Sequence, residues 1–239
     1  MTLLYVVRLA HPLTALAVQR LSTRITKWSA ECDRRMVRVF EFLATWPDAM
    51  LEGWLSDSDL DTASLHMHVD SDLCGDFLST KSTNGAWLYV KGAEEGAEIA
   101  VDWGCNKETF TSSNTQESET AALAVRTKMM ALPMQSLFER VLCRAVNLFV
   151  HEDNDATCKA LAKGYGPSLR HLNRTHRVSL GVMHDLITQK PLAGQSRFEL
   201  LKECTKLMKA NVFTKQLGSV EFAEAMGMLG CCMGVGRNP

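Results

Sequence analysis

A mixed α/β domain preceded by a helical segment is the fold class this sequence predicts, and three observations predict it. Apolar residues recur at helical spacing as far as about Leu55. After Ser56-Asp57-Ser58-Asp59 the period drops to two, the signature of strands. The remaining order is three strands, a helix, a strand and then alternating elements, which builds a mixed sheet with helices packed on it.

Each element has a local cause. Pro12 suits a first helical turn, and Leu13, Leu16, Ala17, Arg20 and Leu21 follow at helical spacing. A second helix begins at Ser29, with Glu31 early in its first turn, where the macrodipole favours an acid. Its apolar face is Met36, Val37, Val39, Phe40 and Leu43, and Pro47 stops it. Leu65, Met67 and Val69 then alternate with Ser64, His66, His68 and Asp70, a strand that ends in an acid. A second strand covers 87–90 and a third 99–103, with Gly92 and Gly96 in the turn between them. Thr115 caps a helix running from about 116 to 130, and Pro133 opens another through Val141. Leu148-Phe149-Val150 is a short strand leading into Glu152 and Asp153. Helical patterns follow at 154–163 and 172–189, then a strand at 198–201 and a last helix from about Lys209. No repeat or low-complexity segment interrupts the chain. The expected division is a helical region over 1–58, an α/β domain over 62–220 and a tail over 221–239, whose glycine-rich end GMLGCCMGVGRNP is expected to be disordered.

Composition narrows the function classes. Among 239 residues, 26 Lys+Arg balance 27 Asp+Glu, so no global field draws in a polyanion. Such a partner needs a local basic patch or bound metal ions. The hydrophobic content of 46% argues against wholesale disorder. No apolar run reaches the roughly 20 residues of a membrane span. Arg8, His11 and Pro12 interrupt the apolar start, which reads as packed helix and not as an export signal. None of the eight cysteines forms a Cys-x-x-Cys pair, and the one close pair, Cys231-Cys232, is vicinal. Reduced thiols in an intracellular protein, cytoplasmic or nuclear, are the expectation.

Acids at strand ends carry the chemistry. Asp70 closes the first strand, Asp153 follows the fourth, and Glu119 lies near the start of the helix between them. Neighbouring strands that both end in Asp place their carboxylates at one sheet edge, where they persist together only if a cation neutralises them. Hard oxygen ligands suit Mg²⁺ or Mn²⁺, and a pair of such ions supports phosphoryl transfer. Spacing alone leaves open that these are solvated turn and cap acids.

The segment HMHVDSDLCGDFLSTKSTNGAWLYV resembles the strand–loop–strand opening the ribonuclease H domain of copia-type long-terminal-repeat retrotransposons, with its Asp-x-Asp, basic residue and Ser-Thr-x-Gly. WGCNKETFTSSNTQESETAAL is similar to that family's Trp-led strand and Glu-x-Glu helix, and FVHEDNDA to its Asp-Asn strand end. RHLNRTH stands in the place of its Arg/Lys-His helix. FELLKECTKLMKANVFTKQLGSVEF resembles its closing strand and Ala-Asp-x-x-Thr-Lys-x-Leu segment. The amino-terminal LLYVVRLAHPLTALAVQRLSTRITKWSAECDRRMVRVFEFL resembles the helical connection that follows reverse transcriptase in these Pol polyproteins.

The resemblance implies a ribonuclease H-like mixed sheet flanked by helices, and a metal-dependent endoribonuclease acting on the RNA strand of an RNA–DNA hybrid. It implies that Asp70 bridges two Mg²⁺ (or Mn²⁺) ions, that Glu119 and Asp153 each hold one, and that the hybrid's shape and 2′-hydroxyls are read. Lys81, Ser82, Thr83, Asn84 and Asn154 are the expected substrate contacts. Two positions depart from the family. The fourth carboxylate is Asn211, which removes a negative charge from the metal site, and Asp155 stands where Gln is usual and repels a phosphate. Both departures point to a second reading, a non-catalytic remnant that binds nucleic acid without cutting it. The polymerase Tyr-x-Asp-Asp does not occur, so no reverse transcription is expected. A third class, a metal-free interaction module, requires the three acids to lie more than about 8 Å apart, because bridged two-metal sites are compact.

Other residues have plainer readings. His66 and His68 share a strand face and read as a polar sheet surface, since no ligands at zinc spacing follow them. His171 and His176 are five apart, which on a helix points them away from each other. His151 and Glu152 immediately precede Asp153 and read as a solvated strand end, against a role in tuning that acid. Met129, Met130 and Met134 read as core filler. Arg20, Arg24, Lys27, Arg34, Arg35 and Arg38 are the best basic surface for nucleic acid, against a plain solvated helix face.

Overall fold

Residues 2–76, 79–192 and 194–232 are described by the structure, a computed structural model. Helices α1 (Thr2–Leu9) and α2 (Ala15–Ser22) flank a 3-10 turn opened by Pro12. Helix α3 (Ala30–Thr45) follows Ser29 in extended backbone and ends two residues before Pro47. Its buried stripe is narrower than expected: Cys32 and Val39 are buried and Met36 and Leu43 partly so, whereas Val37 and Phe40 are about half exposed. The strand β1 (Met50–Leu51) was not anticipated, being too short to show a period.

Three long strands follow, β2 (Ser64–Asp76), β3 (Lys81–Lys91) and β4 (Glu98–Lys107), as an antiparallel meander. Gly96, at φ +77°, supplies the left-handed residue in the turn between β3 and β4. Helix α4 (Thr115–Arg126) is capped by Asn114, not Thr115: the Asn114 Oδ1 accepts from the Glu117 N–H at 2.9 Å. The helix passes through a π-turn at Thr127–Ala131 into α5 (Leu132–Leu142), with Pro133 in the first turn. Strand β5 (Leu148–Glu152) leads to α6 (Asp155–Lys163), capped by Asn154. The helix expected over 172–189 is broken into α7 (Leu172–Thr175) and α8 (Leu180–Thr188), because Arg177 takes a left-handed φ of +55° and Ser179 caps a new start. After β6 (Phe198–Lys202), the segment from Lys209 is a 3-10 helix to Phe213, and α9 (Ser219–Met228) follows separately. The tail is ordered further than expected: β7 (Cys231–Cys232) pairs antiparallel with β1. Residues 233–239 lie outside the described residues.

The main sheet has the order β4-β3-β2-β5-β6, with β5 and β6 parallel to β2. This is a five-stranded mixed sheet flanked by helices, the architecture that the resemblance implies. Leu65, Met67 and Val69 of β2 and Ala86, Leu88 and Val90 of β3 face one core, closed by α4, α5 and α8. Trp87, Tyr89 and Trp103 face the other, closed by α1, α2, α3, α9 and Phe213. The central strands are therefore buried on both sides, which holds the residues at their ends in fixed positions. Among the described residues no helix is long and apolar enough to cross a membrane.

Candidate metal centre

Strand β2 pairs with β5 only as far as His68 opposite His151, then continues with β3 to Asp76. Asp70 is thus not the end of its strand; it sits where β2 parts from β5, two residues past the last shared pair. Asp153 lies just beyond the end of β5, and the first turns of α4 deliver Glu119 over the same gap. One carboxylate oxygen from each of Asp70, Glu119 and Asp153 lies within 4.8 Å of the others. The separation that the metal-free class requires is excluded. Glu119 and Asp153 border an open cleft of about 840 Å³, with Ser71, Asp72, Asn154 and Lys215 also on its walls.

Electrostatics make this gathering unstable by itself. Asp70 is fully buried, Glu119 is 3% exposed, and Glu152, a fourth carboxylate, is fully buried behind them. Burial, then Glu152, Asp70 and Asp153, hold the Glu119 carboxyl well above the ordinary carboxylate range. Burial also raises Glu152, chiefly against a hydrogen bond from the Asn154 N–H. Oε2 of Glu119 and Oε2 of Glu152 are buried with no hydrogen-bond partner. Orphaned carboxyl oxygens beside a cleft are what a hard divalent cation would satisfy, drawing the raised carboxyls into their ionised form, and the all-oxygen donor set fits Mg²⁺ or Mn²⁺.

The protein supplies one cation of its own. Lys215 Nζ donates to Asp70 Oδ1 at 2.8 Å and to Asn211 Oδ1 at 2.8 Å. Thr214 Oγ1 donates to the other Asp70 oxygen. Asn211, at the expected fourth-ligand position, is therefore beside the centre and engaged with Lys215, while its Nδ2 donates to the Thr205 carbonyl at 2.8 Å. Thr214, Lys215 and Glu152 were not assigned roles from sequence. The first two stand in the quoted Thr-Lys pair, and Glu152 is the last residue of β5, where the acid run begins.

The expected substrate contacts divide. Asn154 borders the cleft, but its side chain accepts from Thr157 N–H as the α6 cap. Ser82, Thr83 and Asn84 are buried in β3, where Asn84 Oδ1 accepts from Ser71. Lys81 Nζ donates to the Thr109 carbonyl. Asp155 borders the cleft and is paired with Lys159, one turn on. In the basic set, Arg34 and Arg35 bind Glu31, and Arg20 reaches Asp72 at 3.5 Å.

The histidine expectations need correction. His66 and His68 are buried, not on a solvated sheet face, and stack with His151 from β5. His151 and Glu152 are likewise buried. His171 and His176 do not diverge, because α7 ends between them. Both approach Glu117 Oε1, at 2.9 and 3.4 Å.

A scan against protein-family models finds no match, and neither does a comparison with curated proteins. Two solved structures are similar. One is a ribonuclease H1 from the halophilic archaeon Halobacterium salinarum NRC-1, at 14% identity over 62% of this chain and 90% of that one, with a TM-score of 0.37. The other is an amino-terminal ribonuclease H domain from Mycobacterium tuberculosis fused to maltose-binding protein, at 12% identity over 69% and 97%, with a TM-score of 0.31.

Proposed function

We propose that this chain is a metal-dependent ribonuclease H-type nuclease, hydrolysing the RNA strand of an RNA–DNA hybrid, derived from a copia-type retrotransposon Pol polyprotein. The convergence of Asp70, Glu119 and Asp153 from three separate elements carries the reading. The resemblance supplies the substrate and the polyprotein origin.

In this reading Asp70, Glu119 and Asp153 hold Mg²⁺ or Mn²⁺, which would supply an activated water and charge stabilisation at the phosphate. The chain's own residues do the rest. Thr214 and Lys215 fix both oxygens of Asp70, so its carboxylate is aimed before any ligand arrives. The Asn154 N–H holds Glu152 Oε1, leaving Asp153 turned to the cleft. Lys215, 38% exposed, is the cation nearest an incoming phosphate along the described cleft wall. Asn154 and Asn211 add neutral amide groups at the margin.

Asn211 and the ion pair of Lys215 with Asp70 favour the second reading, a remnant that folds and binds nucleic acid without cutting it. Cleavage of a labelled RNA–DNA hybrid in Mg²⁺ and in Mn²⁺ by wild type, Asp70→Asn and Asn211→Asp separates the two. Cutting by wild type that Asp70→Asn abolishes supports the nuclease. Cutting only after Asn211→Asp, or by none of three folded proteins, supports the remnant.

A further inference from the structure

We propose that His68, His151 and Glu203 form a second metal site, beside the carboxylate centre on the face of β2 that also carries Asp70, that takes a nitrogen-preferring divalent ion such as Zn²⁺. One donor atom from each of the three lies within 4.8 Å of the others. Ligands around a tetrahedral zinc sit roughly 3.3 Å apart, so closure draws each donor atom in by about 1 Å or less and turns the stacked rings of His68 and His151 until their in-plane lone pairs converge on the ion. Two imidazoles and one carboxylate are a recurrent zinc donor set that leaves a coordination position open.

Adjacent strands build this site. His68 and His151 are register partners on β2 and β5, their rings parallel within 8° at a centroid distance of 4.2 Å. Glu203 follows the last residue of β6, and its N–H donates to the Glu152 carbonyl at 2.9 Å. Its carboxylate reaches back to His151 Nδ1 at 3.0 Å and is 21% exposed, which gives an ion a path from solvent.

The outer hydrogen bonds match what a metal-bound imidazole requires of its second nitrogen. His151 Nε2 lies 2.9 Å from His66 Nδ1, and His66 Nε2 lies 3.1 Å from Ser64 Oγ. His68 Nε2 lies 3.3 Å from the Tyr89 hydroxyl. The chain Ser64–His66–His151–Glu203 has two consistent proton arrangements. In one, Ser64 donates to His66, His66 to His151, and His151 Nδ1–H to Glu203. In the other, every ring proton sits on Nε2: His151 donates to His66, His66 donates to Ser64, and His151 Nδ1 offers a lone pair toward Glu203. An ion between Nδ1 and the carboxylate selects the second arrangement, with no change in the number of ring protons. His68 then contributes Nδ1, whose present contact is the Lys209 N–H at 3.3 Å. Lys91 and Lys209 are the cations near the cluster, and Glu98 is paired with Lys209.

Titration of Asp70→Asn protein with Co²⁺ alone, followed by visible absorption, tests the site apart from the carboxylate centre. One equivalent is expected to bind with the strong absorption of low-coordinate, nitrogen-ligated Co²⁺, to be displaced by Zn²⁺, and to resist excess Mg²⁺. Glu203→Gln, at a half-buried strand end, and His66→Phe, which keeps the ring stack, are each expected to weaken binding by about 10-fold to 100-fold with circular dichroism unchanged. Absence of a stoichiometric absorbing species in folded protein overturns the proposal. So does affinity in both variants unchanged from the Asp70→Asn parent, or displacement by Mg²⁺.

Discussion

Lys215 Nζ donates a 2.8 Å hydrogen bond to Asp70 Oδ1, placing a tethered ammonium against the carboxylate common to the whole centre. Removing one partner of a buried ion pair costs about 3–5 kcal/mol, but Lys215 is more than a third exposed and Thr214 still serves Asp70. Lys215→Met is therefore expected to destabilise the metal-free protein by about 1–2 kcal/mol. With the ammonium gone, a divalent ion competes with nothing for that oxygen. Urea unfolding in EDTA and in Mg²⁺ is expected to show a larger gain from Mg²⁺ in Lys215→Met than in wild type. An equal gain would mean that Lys215 and the ion do not share Asp70.

Asn211 sits between the centre and the Thr205 carbonyl, and its two ends pull in different directions on substitution. Asn211→Asp keeps an acceptor for Lys215 but replaces the Nδ2–H donor with an oxygen facing the Thr205 carbonyl. A lost hydrogen bond costs about 1 kcal/mol, so the metal-free variant is expected to be slightly less stable. The added charge works the other way for cations, and calorimetric Mg²⁺ titration is expected to show tighter binding than wild type. Unchanged binding would place Asn211 outside the centre's influence.

Much of this was legible because the signals were local. The alternation of Leu65, Met67 and Val69 located β2, and the acids after it pointed to Asp70; Asp153 and Glu119 followed from neighbouring elements. Features made by distant chain segments were not legible. His68 meets His151 and Glu203 only because β2, β5 and β6 are adjacent, and no spacing in sequence encodes that. The Lys215 contact with Asp70 spans 145 positions. Caps were near misses: Asn114 and Thr115 are both good caps, and the choice rests on which side chain reaches the Glu117 N–H. Strands β1 and β7, two residues each, cannot show a period.

Asp59 sets a stability window in acid. Its carboxylate accepts from Ser56 Oγ at 2.7 Å, from Ser56 N–H at 2.8 Å and from Ala93 N–H at 2.7 Å, tying the entry to β2 to the turn after β3. The Ser56 hydroxyl, then the Ser56 and Ala93 amides, hold the carboxyl below its ordinary range. The unfolded chain therefore binds this proton at higher pH than the native one. The contribution is fully present above about pH 4 and is lost as pH falls through the depressed native value. Denaturant midpoints of wild type and Asp59→Asn are expected to differ at neutral pH and to converge toward about pH 2–3. A constant gap across that range would remove Asp59 from the acid response.

Gly85 is the register partner of Asp70, and the 3-10 segment that leads into Thr214 and Lys215 lies directly on it. A Cβ there would stand 2.7 Å from Thr214 Cγ2, 2.8 Å from Phe213 Cβ and 2.9 Å from the Ala210 carbonyl oxygen. Phe213 is fully buried and cannot swing aside, so the segment itself must lift. Overpacking of this kind costs about 1–3 kcal/mol, and Gly85→Ala is expected to fall in that range by urea unfolding. The direction of the lift matters more than the cost. It draws Thr214 and Lys215 away from both oxygens of Asp70, loosening the one carboxylate that every other group at the centre faces. Mg²⁺ affinity measured on the folded variant is expected to change along with stability, whereas a core substitution of equal cost remote from Asp70, such as Leu161→Val, is expected to leave Mg²⁺ affinity alone. If both variants bind Mg²⁺ as wild type does, the close approach at Gly85 serves packing only and does not position the centre.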